Sequence, residues 1–217
     1  MYFFWQRGGI SLGDPSNPHY ICQLQDYAAI PYEFTHPGHQ VEIAQGCAAP
    51  TAPTYLTAFT AMFMHGGLLH LGGNMLFLWI FGNNVEDAMG PVRFIAFYLL
   101  AGLAATALQL IAGPNSTTPN LGASGAIAGV LGGYIVMYPR ARVVTVVFII
   151  FLFTILELPA IFFLGFWFLQ QLAFGALQSA NTVADGGVAY WAHVGGFAAG
   201  LLLIKAFATR RSAAYSH

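Results

Sequence analysis

Charge is the scarcest feature of this sequence. Seven Lys and Arg and eight Asp and Glu make up 7% of 217 residues, against 57% hydrophobic residues and a mean hydropathy of +0.65. Soluble domains carry roughly a quarter charged residues, so a water-exposed globule is excluded and an integral membrane protein is indicated. A net charge of −1 also argues against nucleic acid as a partner, because nothing here could replace the counterions along a phosphate backbone. Cysteine is nearly absent. Cys22 and Cys47 both fall in an N-terminal stretch rich in Pro, Gly, His and acidic residues, where an oxidising compartment would allow a disulfide; two unrelated thiols is the other reading.

Against these absences stand five apolar segments, at about 66–85, 94–112, 121–138, 160–177 and 188–207, each of the roughly 17 to 25 residues that a bilayer needs. Arg93, Arg140, Arg142, Lys205, Arg210 and Arg211 fall at alternate ends of them, which the positive-inside rule makes cytoplasmic. Asp14, Asp26, Glu33, Glu42 and Asp185 fall on the other side. The expectation is a multi-pass protein of the cell (plasma) membrane, with an extracytoplasmic segment 1–53, a transmembrane domain 54–210 and a cytoplasmic tail 211–217. Residues 1–5, "MYFFW", are too few to span and lack signal-peptide architecture; they read as the stub of a further helix.

Parity constrains the long apolar region 143–177. The third and fifth spans run the same way, so the chain between them crosses an odd number of times, and Pro159 divides it because proline ends a helix at or before its predecessor. Residues 143–156 are predicted to be β-branched, non-spanning backbone at the cytoplasmic face, covered by protein, and 160–177 the true span. A long tilted helix kinked at Pro159 is the alternative.

Polar side chains inside spans are costly and therefore functional candidates. "HGGLLHLGGN" puts His70 and Asn74 four residues apart on one helix face. "LGASGAIAG" places Ser124 near the start of the third span, and "YWAHVGGFAAG" places His193 near the start of the fifth. At about 1.5 Å per residue these groups share one layer roughly 5 to 12 Å below the outer surface. Small residues allow close helix approach: Ser124, Ala128 and Gly132 share one face, as do His193, Gly196 and Gly200. The chemistry permitted is acyl transfer by a Ser-His dyad, with no Asp or Glu at that depth to make a triad. Backbone N–H groups at the start of the Ser124 helix, with Asn74 and His70, would supply oxyanion donors. Ser124 as a helix N-cap, and the histidines and Asn74 as structural hydrogen-bonding groups, are the alternatives.

These motifs, in this order, resemble the rhomboid family of intramembrane serine proteases: "HGGLLHLGGN" for its His-x-x-x-Asn helix, "GASG" for its Gly-x-Ser-Gly motif, and "AHVGGFAAG" for its Ala-His-x-x-Gly-x-x-x-Gly helix. The resemblance covers about residues 54–208. It implies an all-α polytopic bundle with five spans here and the family's first helix largely missing. It implies Ser124 as nucleophile, His193 as general base, and His70 and Asn74 with the Ser124 amide as the oxyanion site, Gly122 keeping the approach open. Segment 54–65 would be a partly embedded loop with His65 in a structural role, 176–190 a flexible cap, and 160–177 a lateral gate. Two departures are Ala128, where some members carry an aromatic platform for the histidine, and Tyr55 and Leu56, where a Trp-Arg pair is common.

The expected function is therefore hydrolysis of peptide bonds in or near transmembrane segments of other membrane proteins, with substrate arriving from the lipid bilayer, no metal or organic cofactor, and an active site near the extracytoplasmic face. A catalytically inactive relative that binds transmembrane clients is the rival reading, and a transporter the weaker third.

Overall fold

The computed structural model describes residues 18–43, 45–47, 52–149, 152–180 and 187–209. The expected helix stub 1–5, the middle of the expected cap, Arg210 and Arg211 and the tail lie outside them. Residues 68–89 form one rod, α4 (Leu68–Phe77) passing through a widened π turn (Leu78–Gly82) into α5 (Asn83–Met89). Gly90 then turns the chain at φ +83°, a conformation that favours glycine, and Pro91 opens α6 (Pro91–Ala112) in the position where a missing N–H costs nothing. The remaining helices are α7 (Ser124–Met137), α8 (Ala160–Ala180) and α9 (Tyr190–Phe207). Three of these, α6, α8 and α9, are long and apolar enough to cross a membrane. The result is a mostly helical, polytopic bundle, as the apolar pattern predicts.

α7 is different. Its 14 residues span only about 21 Å, less than the roughly 30 Å of a hydrocarbon core. Every residue from 125 to 134 is buried, so this stretch of the helix is enclosed by protein on all sides, and only the last turn, at Val136, is open. α9 runs against it at backbone contact: a methyl group on Gly196 would overlap the Gly125 carbonyl, and one on Gly200 the Gly129 carbonyl. α6 closes the other side, with Ala105 Cβ only 2.7 Å from where a Gly125 Cβ would stand.

Between α7 and α8 the chain forms an antiparallel hairpin, β1 (Arg142–Ile149) with β2 (Leu152–Pro159), in register from Arg142 opposite Pro159 to Ile149 opposite Leu152. This answers the parity problem in favour of non-spanning β-branched backbone and against a kinked helix. The expectation that protein covers it is corrected. The ribbon meets the body at its base, where Val143 is buried, and is open beyond it on both faces: Val144 is 66%, Phe153 69% and Leu156 43% exposed.

The N-terminal segment packs over the end of the bundle where α7 begins. α1 (Pro18–Tyr27) and α2 (Pro31–Thr35) are tied to the loop after α6 by Ala29 N–H to Asn120 O, its return bond Asn120 N–H to Ala29 O, and Tyr32 N–H to Ser116 O, each 2.9 Å. Cys22 and Cys47 are joined as a disulfide. α3 (Thr54–Thr60) and a short 3-10 turn (Ala61–Phe63) follow, so the region expected as a partly embedded loop contains a helix of its own. At the opposite end, Arg93 donates to the Phe207 carbonyl and Thr209 N–H to Ala88 O. Arg93, Arg140, Arg142 and Lys205 all lie at that end.

Candidate active site

Three helices begin at the same end of the bundle and bring their first turns together. Ser124 is the first residue of α7, His193 lies in the first turn of α9, and α4 carries His70 and Asn74. Ser124 Oγ is 2.8 Å from His193 Nε2. The backbone contact between Gly125 and Gly196 permits this distance, since a side chain at Gly196 would push the two helices apart. Gln109, near the end of α6, fixes the start of α9 by accepting the Ala192 N–H at 3.1 Å.

Gly122 enters this turn at φ +124° and donates its N–H to the Ala61 carbonyl at 2.8 Å. It also stands against His70: a Cβ there would lie 2.8 Å from Cε1 and 2.9 Å from Nε2 of that ring. His70 Nδ1 accepts the Gly66 N–H at 3.2 Å. In a neutral imidazole, an acceptor at Nδ1 leaves the proton on Nε2, so His70 presents an N–H donor toward the Gly122–Ser124 turn. His65, buried, meets His70 edge to face at 5.3 Å between centroids.

A cavity of about 240 Å³ opens beside the serine, lined among others by His70, Asn74, Ser124, Trp167 and His193. Asn74 is buried, and its Nδ2 is a buried donor without a hydrogen-bond partner among the described residues. An unsatisfied buried amide costs about 1 to 3 kcal/mol, and Asn74 is among the residues that line the cavity. The walls are α4, which packs on α7, and α8, which packs on α7 and α9. Among the described residues no cluster of side chains could hold a metal ion.

Two features escaped sequence reasoning. Gln171 on α8 is buried and places Oε1 2.8 Å from His193 Nδ1. "FLQQL" offers two adjacent glutamines and no signal for which one turns inward. The platform that Ala128 cannot provide comes instead from α8: the Trp167 ring lies 5.8 Å from the His193 ring at an angle of 38°. The cap expected over 176–190 is helical as far as Ala180, with Gln178 Nε2 donating to Val188 O and Trp191 Nε1 to Ser179 Oγ.

Comparison with known proteins follows the same motifs. The Rhomboid domain family model matches residues 52–210. Rhomboid protein 1, mitochondrial, from Saccharomyces cerevisiae is 34% identical over 146 residues, 64% of this chain and 38% of that protein. Presenilin-associated rhomboid-like protein, mitochondrial, from Bos taurus is 34% identical over 94 residues, 42% of this chain and 25% of that protein. Rhomboid protease GluP from Bacillus subtilis is 41% identical over 73 residues, 34% of this chain and 14% of that protein. The chain thus spans well under half the length of these relatives.

The expectation of a plasma-membrane protein with an extracytoplasmic site is corrected by the first two of these relatives, whose names place them in mitochondria. Charge asymmetry orients helices relative to the side from which they insert; it carries nothing about which membrane receives them. The helical bundle, the three ordered motifs and a family match over most of its length lead to one conclusion: this chain belongs to the rhomboid family.

Proposed function

We propose that the chain is an intramembrane serine endopeptidase that cleaves peptide bonds in or near transmembrane segments of membrane proteins. The observation that carries this reading is the 2.8 Å contact of Ser124 Oγ with His193 Nε2 at the edge of a cavity lined also by Asn74, whose buried amide nitrogen has no partner among the described residues. Ser124 Oγ attacks the scissile carbonyl carbon while His193 Nε2 takes the hydroxyl proton. The carbonyl oxygen, now negative, accepts hydrogen bonds from Asn74 Nδ2, His70 Nε2–H and the Ser124 N–H, which has no partner within its own helix. The imidazolium then protonates the leaving amine, and water repeats the sequence on the acyl-enzyme.

The family acts on membrane-protein substrates within the bilayer, and one relative is named a protease. The apolar walls of α4 and α8 suit a substrate arriving sideways from lipid. The test is fluorophosphonate labelling and cleavage of a model transmembrane substrate by the reconstituted full chain. Label at Ser124, with Ser124→Ala and His193→Ala each lowering cleavage by about 10⁴-fold or more, is the expected result. A folded chain that binds the substrate but takes no label and cleaves nothing is a client-binding protein, and the peptidase reading is then wrong.

A further inference from the structure

We infer that Gln171 is a positioning residue that holds His193 in its working tautomer, and that it does so only while α8 is docked against α9. This rests on the peptidase reading for its catalytic meaning, but its geometry stands alone. An amide oxygen can only accept a hydrogen bond, so Gln171 Oε1, 2.8 Å from Nδ1, requires the imidazole proton to sit on Nδ1. A neutral ring then has a bare Nε2, and that nitrogen faces the Ser124 hydroxyl at 2.8 Å. The opposite tautomer would offer Ser124 an N–H and could not take its proton.

In serine hydrolases of the triad type a carboxylate performs this orienting task; among the residues lining this cavity no carboxylate is present, and His70 is the other titratable group. A neutral amide suits a buried site because it fixes the ring without bringing an uncompensated charge into a low-dielectric interior. Gln171 is 6% exposed, so it would not be buried there without a partner of this kind.

The link to α8 follows from packing. α8 lies at the edge of the bundle: Ala160, Leu164, Gln171 and Gly175 are buried, while Phe162, Phe166, Leu169 and Leu177 are exposed. Phe168 stacks on Phe197 of α9 at 4.5 Å, and Trp191 of α9 covers Gly175. Sideways movement of α8 to widen the cavity therefore withdraws the acceptor from Nδ1. The base is released from its tautomer while the wall is open and set again when it closes, which ties proton transfer to docking of α8.

The experiment is imidazole ¹⁵N NMR of the labelled full chain in detergent micelles, alongside kinetics on a transmembrane substrate. Wild type is expected to show the Nδ1–H tautomer of His193. Gln171→Met, similar in shape but unable to accept, is expected to give a mixture of tautomers and to lower kcat by about 10- to 100-fold with KM unchanged. Gln171→Glu restores an acceptor and recovers both the tautomer and most of kcat. Phe168→Ala loosens α8 without altering the amide and is expected to give a mixed spectrum too. A spectrum unchanged in Gln171→Met, or Gln171→Glu behaving like Gln171→Met, overturns the role of Gln171; an unchanged spectrum in Phe168→Ala overturns the link to α8. A wild type with the Nδ1–H tautomer that cleaves nothing sinks the peptidase reading alone.

Discussion

Gly122 and His70 stand so close that a single methyl group on the glycine would press into the edge of the imidazole, 2.8 Å from Cε1 and 2.9 Å from Nε2. The same glycine holds φ at +124°, where side chains are strained. Gly122→Ala is therefore doubly unfavourable: it tilts His70 away from the serine turn and distorts the turn itself. A folded but nearly inactive protein is expected, with kcat reduced by about 10²-fold or more. Unchanged kcat in Gly122→Ala would mean that His70 does not need its present position.

Asn74 lends itself to a cleaner test. Its Nδ2 lacks a partner among the described residues, so removing the amide breaks no bond in the resting protein. Asn74→Ala is expected to leave thermal stability unchanged or slightly raised and to lower kcat by about 10²- to 10³-fold. Loss of stability without loss of kcat would assign Asn74 to packing.

The α7–α9 contact predicts a contrast between glycines. Gly200→Ala forces a methyl group into the Gly129 carbonyl, and overpacking of this kind destabilises by about 1 to 3 kcal/mol. Activity is expected to fall as well, because the same contact sets the distance from Ser124 to His193. Gly165→Ala, where nothing lies within 4 Å, is expected to be neutral or to stabilise α8 by up to about 1 kcal/mol through helix propensity. Thermal unfolding of the two variants in one detergent distinguishes them.

The Cys22–Cys47 bridge closes a loop with a sequence separation of 25, for which chain entropy gives about 3.5 kcal/mol. Cys22→Ser is expected to loosen the segment that covers the loop after α6, with faster proteolysis there, while α6 to α9 remain folded. Both thiols reacting with an alkylating agent in the absence of reductant would show that the bridge does not form.

Glu33 adds a pH dependence outside the spans. Burial pushes its carboxyl up, partly opposed by the bond it accepts from the Val41 N–H at 2.9 Å. An acid whose folded pKa is raised favours the folded state most when protonated. Its contribution is full below the unfolded value of about 4.3 and is lost as pH rises through the folded value. Glu33→Gln is expected to raise the melting temperature at about pH 8 and to have little effect at about pH 4; an equal effect at both would remove burial of the charge as the cause.

Much of this architecture was legible because bilayer helices obey two strict rules, length and the cost of polar groups. The i, i+4 spacing of His70 and Asn74 and the small residues around Ser124 and His193 survive intact in the folded bundle. Gln171 was not legible, because only the packing of α8 on α9 decides which of two neighbouring glutamines faces the imidazole. Trp167 was hidden for the same reason: the sequence near Ser124 has Ala128, and the aromatic neighbour arrives from a helix read as a lateral gate. The hairpin showed in its β-branched composition, yet its open faces did not, since composition does not say how much of a ribbon meets the protein.

The short α7, enclosed over most of its length, has a consequence for life in membranes of different thickness. Hydrophobic mismatch acts on helices that touch lipid, making them tilt or stretching the bilayer around them. α7 is shielded by its neighbours, so a thicker or thinner membrane strains α6, α8 and α9 while the serine keeps its station relative to them. What changes with the membrane is the depth at which a neighbouring transmembrane helix meets the serine, so under the proposed peptidase function bilayer thickness would set the register of the cut.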